Sequence, residues 1–357
     1  MATRRSRSGR GAVSVAGREG RSARARAWWD LSDEELLDRR IADLGLSLEG
    51  TTLEQRVEAL YGELDRRGLR FRPYVWLSSD WFTPDDATGF AIPFFLAHPR
   101  LMRLEHRQML EVEGGNHTWC MKLLRHETAH ALDNAYGLRR RKAWRETFGR
   151  ASEPYRASYA ADPGSRDHVL NLDYWYSQSH PLEDWAETFA VWLDPRSRWR
   201  RRYAGWPALA KLEFVDGLME SIADERPPLR SRRREEPVSR LRITLREHYR
   251  RKREQYDTET RTDLDERLLA IFVRGGGGVT ANDLLRRHRR GLVARVARVT
   301  GHHRYLVDHV LKDVARRCRA LRLRLESSER SALLDVAVLL AASTQQFLHA
   351  GHPHYHR

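Results

Sequence analysis

A chain of 357 residues, 41% of them apolar, has room for a sizeable core and for two domains. No run approaches the roughly 18–20 apolar residues that would span a bilayer, since the longest candidate, Ala332 to Ala342, is short and holds Asp335. Two cysteines, Cys120 and Cys318, exclude a disulfide framework and fit a reducing, cytoplasmic setting, while a net charge of +15 raises a nucleic-acid reading.

Residues 1–27 carry eight arginines against one acid, Glu19, and no sustained apolar segment, so they read as a solvated, disordered basic arm. All eleven tryptophans, from Trp28 to Trp206, precede residue 207, which marks residues 28–224 as one filled domain. Within it, Ser32-Asp33-Glu34-Glu35 predicts a capped helix start, and Thr52 to Arg67 a second helix stopped by Gly68. Phe71 to Leu77 and Gly89 to Leu96 have strand-like content, with Pro73 and Pro93 pushing both towards sheet edges. A long helix fits Thr118 to Tyr136, closed by Gly137, and another fits Pro181 to Leu193, ending before Pro195.

Glu225 to Pro237 mixes prolines with dense charge and reads as a linker. Residues 238–350 then read as an all-α domain, with segments 238–256, 262–273, 281–299, 303–325 and 330–349 and a capping box at Thr280 and Asp283. The Gly275–Gly278 run lacks the ending of a phosphate loop and reads as a connector. The tail at 351–357 is His-rich; with His349, it offers His352, His354 and His356 as adventitious metal binders.

The chemistry-bearing stretch is His126-Glu127-Thr128-Ala129-His130, an HExxH pattern inside the long helix. Residues four apart lie about 40° apart around a helix, so His126 and His130 point the same way and can grip one metal ion. Glu127 stands beside them as a base for a water molecule. Cys120, about 240° away, is a poor ligand. A catalytic zinc takes three protein ligands, and a third on the same segment fails because Asp133 and Tyr136 stand where Gly and His would be needed. The later helix supplies Glu183 and Glu187 on one face beside Ala186 and Ala190, with Trp185, Phe189 and Trp192 opposite. Such a helix is buried on both faces, and buried carboxylates need partners. His168 and His180 are alternative third ligands for an all-histidine site.

RHETAHALDNAYG and EDWAETFA resemble the gluzincin-type zinc metallopeptidases, in particular the catalytic domain of anthrax lethal factor and a bacterial family of zinc-binding metallopeptidases. The likeness to the bacterial family extends over most of 28–224 and includes PFFLAHPRL, NLDYWYSQSHPLEDWAETFAVW and RYAGWPAL. The fold it implies is α+β: a zincin-like catalytic domain with a small edge sheet, the HExxH helix and a glutamate helix, ahead of the helical domain. Implied too are one zinc ion held by His126, His130 and Glu183, and Glu127 as general base. Glu187 would hold a ligand histidine by its other nitrogen. Tyr176, seven residues before Glu183, falls at a catalytic tyrosine position, although spacing alone does not choose between it and Tyr174. Asp133, on the same helix face as His126, is either a further support for the ligands or a helix-end acid.

The function expected is hydrolysis of peptide bonds in protein or peptide substrates, with strand addition to the Gly89–Leu96 edge aligning the substrate. The alternatives are a zinc-containing regulatory or binding protein without turnover, and a basic nucleic-acid-associated protein dominated by the 1–27 arm and the helical domain, including a protease acting near DNA.

Overall fold

The structure, a computed structural model, describes residues 26–109, 112–155, 158–159, 161–256, 260–275, 277–300, 302, 304–350 and 352–353. Most of the basic arm, Gly276 in the glycine run and His354 and His356 of the tail lie outside the described residues.

Local chemistry sets the first elements. Ser32 caps α1 (Asp33–Leu37) reciprocally: its Oγ accepts from Glu35 N at 3.3 Å, and Glu35 Oε2 accepts from Ser32 N at 2.8 Å. Thr51 caps α2 (Thr52–Arg66), which buries Leu53, Val57, Leu60 and Leu64 along one stripe. β1 (Tyr74–Ser78) and β2 (Gly89–Pro93) pair in parallel, Tyr74 opposite Gly89 and Trp76 opposite Ala91. Glycine is required at 89, because a Cβ there would sit 2.1 Å from the Tyr74 carbonyl oxygen. α3 (Pro99–Met109) leads into α4 (His117–Tyr136), whose start is capped by Asn116 and whose end is Gly137 in the left-handed region, φ 61°. α5 (Lys142–Phe148), β3 (Ser158–Tyr159), α6 (Pro181–Leu193), α7 (Trp199–Arg202) and α8 (Ala208–Ile222) follow.

The remaining elements are α9 (Leu245–Tyr256), α10 (Thr260–Ile271), β4 (Val273–Arg274), α11 (Ala281–Thr300), α12 (Arg304–Ala320), β5 (Leu323–Arg324), α13 (Glu329–Ala350) and β6 (His352–Pro353). β4 pairs antiparallel with β5, and β3 with β6. Thirteen α-helices and short strands among the described residues make the chain α+β, and none of those helices is long and apolar enough to cross a membrane.

Four expectations need correction. Residues 238–256, read as the opening helix of the second domain, join the first core. Leu245 and Tyr249 of α9 are fully buried there, Ile41 N bonds Ile243 O at 3.1 Å, and Lys252 reaches the buried Glu105 at 2.8 Å. A second apolar cluster begins only at Leu268 and closes with Leu340. That later part is not purely helical either: the 303–325 segment stops at Ala320, and Arg322, φ 53°, turns the chain into β5.

The charged 225–237 stretch is not a free linker. Trp76 Nε1 donates to Glu235 O and Ser78 Oγ to Glu236 O, both at 2.8 Å, and Thr88 Oγ1 donates to Ser231 O at 2.8 Å. Alternate residues of β1 thus hold the segment as a strap. Finally, β2 is no open edge. All five of its residues are buried, β1 lines one side, and Ala91 N donates to Phe82 O at 2.8 Å on the other. An extended peptide cannot add where those groups are already paired.

Candidate metal centre

α4 and α6 pack face to face, joined where Trp185 Nε1 donates to Ala129 O at 3.0 Å. The small side chains Ala129, Ala186 and Ala190 are fully buried, and Trp185, Phe189 and Trp192 form a row of ring contacts along α6. Every α6 residue from Leu182 to Leu193 is buried, so both its faces are covered.

Between these helices His126, His130 and Glu183 converge, each at most 3% exposed. His126 Nε2 lies 3.2 Å from His130 Nε2 and 3.0 Å from Glu183 Oε2, which is 3.4 Å from His130 Nε2. Two atoms bound to one ion at about 2.0–2.1 Å in tetrahedral geometry lie about 3.3–3.4 Å apart. The observed triangle matches one face of such a tetrahedron, so this buried His-His-Glu group can hold a metal ion.

The surroundings fix the ligands. His126 Nδ1 donates to Glu187 Oε1 at 2.9 Å, which turns Nε2 towards His130 and Glu183. Glu187 is itself held, since Asn171 Nδ2 donates to its Oε1 at 2.8 Å and Leu172 N to its Oε2 at 2.7 Å. Burial opposes a charge on His126, but Glu183 and Glu187 outweigh it and raise its pKa to about 10. Burial likewise works against the Glu183 carboxylate, yet His130 and His126 keep it well below the usual range. With no metal bound, the proton on His126 offsets the two carboxylates.

Glu127, 7% exposed, faces the N-terminal half of the domain, where Thr83 Oγ1 donates to its Oε2 at 2.8 Å. The Tyr176 ring lies 5.7 Å from the His126 ring. It sits in a 3-10 turn, Asp173–Gln178, where Trp175 is buried with φ 52°. A bulky residue in that region costs about 1–2 kcal/mol and is over-determined by its packing. The Tyr174 side chain lies outside what the structure describes.

Asp133 takes the helix-end role. Its carboxylate accepts from Arg139 N at 2.7 Å and from the Arg139 guanidinium, at the end of α4 away from His126. Neither alternative histidine joins the cluster. His180 caps α6, accepting from Leu182 N at 3.1 Å, and its Nε2 donates to Glu153 O at 2.8 Å. His168 Nε2 stands 3.9 Å from Asp184 Oδ2. Burial pushes Asp184 up to about 7 although Lys211 donates to it at 2.6 Å. A cavity of about 330 Å³ opens at this end of α6, lined by Tyr159, His168, Ser179, His180 and Asp184 among others.

Three contributors were not singled out in the sequence: Thr83, Asn171, which only opens the NLDYWYSQSHPLEDWAETFAVW stretch, and Tyr155, whose hydroxyl donates to Glu183 Oε1 at 2.6 Å. Each reaches the site from an irregular segment, where no periodicity announces a contact. No protein-family model matches the chain, and no curated protein or solved structure matches it.

Proposed function

We propose that the chain is a zinc-dependent peptidase of the gluzincin type, acting on peptide bonds of protein or peptide substrates. One observation carries the reading: three buried ligand atoms at 3.0–3.4 Å from one another, with the Glu127 carboxylate on the adjoining residue of the same helix.

Zinc at His126, His130 and Glu183 supplies Lewis acidity, which lowers the pKa of water and polarises a carbonyl. The chain's own groups do the rest. Glu127, oriented by Thr83, takes the proton from water as it attacks the peptide carbonyl and delivers it to the leaving amine. The Tyr176 hydroxyl stabilises the negative charge growing on the carbonyl oxygen. Glu187 keeps the His126 ring in the tautomer whose Nε2 is free to bind.

The test compares the wild-type chain with Glu127→Gln, each analysed for zinc and for cleavage of a peptide library. The reading requires one tightly held zinc in both and cleavage by the wild type alone. Equal cleavage by the two would refute Glu127 as base. Zinc-loaded wild type inactive against the whole library would instead favour a zinc-containing binding protein without turnover.

A further inference from the structure

Glu183 uses its two oxygens differently. Oε2 faces the histidine nitrogens, at 3.0 Å from His126 and 3.4 Å from His130, whereas Oε1 accepts from the Tyr155 hydroxyl at 2.6 Å. A hydroxyl bonded to a carboxylate is a charge-assisted, strongly directional contact. It holds Oε1 away from the histidines, so that Glu183 offers the ligand cluster a single oxygen.

Tyr155 is placed for this from outside the two helices. The residue is 40% exposed, and its ring stacks on the imidazole of His180 with centroids 3.9 Å apart and planes inclined by 16°. That imidazole cannot swing, because its Nδ1 caps Leu182 N and its Nε2 bonds the Glu153 carbonyl, two residues before Tyr155. The same histidine therefore begins the helix that carries Glu183 and supports the ring that restrains Glu183. A tyrosine kept for packing alone would gain nothing from directing its hydroxyl at a carboxylate 1% exposed.

We propose that Tyr155 is a positioning residue of the metal centre, clamping Glu183 so that it binds through Oε2 alone and leaves the remaining side of the ion open to water and substrate. The proposal rests on the metal-centre reading of His126, His130 and Glu183. Removing a carboxylate's hydrogen-bond partner around a metal typically costs about 10–100-fold in affinity. Tyr155→Phe keeps the stack on His180 and deletes only the hydroxyl.

The experiment measures zinc affinity by competition with a chromophoric chelator, and the visible spectrum of the cobalt(II)-loaded chain, for wild type and Tyr155→Phe. Expected are one zinc per chain in both, an affinity about 10–100-fold weaker in the variant, and altered cobalt absorption bands. Unchanged far-UV circular dichroism and thermal midpoint without metal establish that the variant is folded. Tyr155→Leu, which also removes the stack, must weaken zinc at least as much. If Tyr155→Phe matches the wild type in affinity and cobalt spectrum, this inference alone is overturned. If the wild type itself takes up neither metal, the centre and the inference fall together.

Discussion

Glu187 accepts the Nδ1 proton of His126 at 2.9 Å, across 61 positions of sequence, and this contact sets the direction in which His126 can bind. Asn171 and the Leu172 amide hold Glu187 from the other side, so the His126 ring is oriented by a carboxylate that is itself held at both oxygens. Glu187→Gln should therefore weaken zinc by about 10–100-fold with stoichiometry kept at one. Chelator competition checks this, and affinity equal to wild type would remove Glu187 from the centre.

The proton on His126 gives a second prediction. Its pKa is raised to about 10, so at pH 7 the metal-free ring is protonated and must lose that proton to bind through Nε2. Calorimetry of zinc binding in two buffers of different ionisation enthalpy should show about one proton released per zinc, and affinity should climb as pH rises towards 10. The sign for the metal-free fold is opposite. A base whose folded pKa is raised gives its full stabilisation below about 6.5, the ordinary value, and loses it as pH rises through about 10. Zinc uptake without proton release would show that Glu183 and Glu187 do not charge this ring.

A third prediction concerns what holds α4 in place. Arg125, beside His126, pairs with Glu63 of α2 through two bonds of 2.6 and 2.7 Å, with both side chains under 8% exposed. Glu63→Ala leaves the guanidinium without its bidentate partner in the interior and should cost about 3–5 kcal/mol in denaturant unfolding, with reduced zinc retention. A loss below 1 kcal/mol would mean that Asp194, 3.4 Å from Arg125, is a sufficient partner.

His248 gives a pH dependence of the opposite sense. It is buried against Phe94 and Tyr249, and burial with Lys252 nearby lowers its pKa to about 3. Neutral in the fold and ordinary when unfolded, it gives full stability above about 6.5 and loses it as pH falls towards 3, by about 2 kcal/mol at pH 5. His248→Phe should flatten that part of the urea midpoint's pH dependence. Equal acid sensitivity in both proteins would assign the loss to other groups.

The sequence by itself determined the parts built from neighbours in the chain. Helical spacing places His126 beside His130 and Glu183 beside Glu187, Pro181 and Gly137 bound the two helices, and α6 runs from Pro181 to Leu193 as its pattern predicts. Local periodicity and capping are short-range, so they are legible without a fold. Only the tertiary structure decided which groups meet those helices. Thr83 reaches Glu127 across 44 positions and Tyr155 reaches Glu183 across 28, both from irregular chain whose direction no pattern fixes. Packing likewise drew α9 into the first core, where Leu245 and Tyr249 are fully buried. It also closed the β2 edge with Phe82 and assigned Asp133 to Arg139. A hydrogen bond needs an approach within about 3 Å and a set direction, and only the assembled chain supplies both.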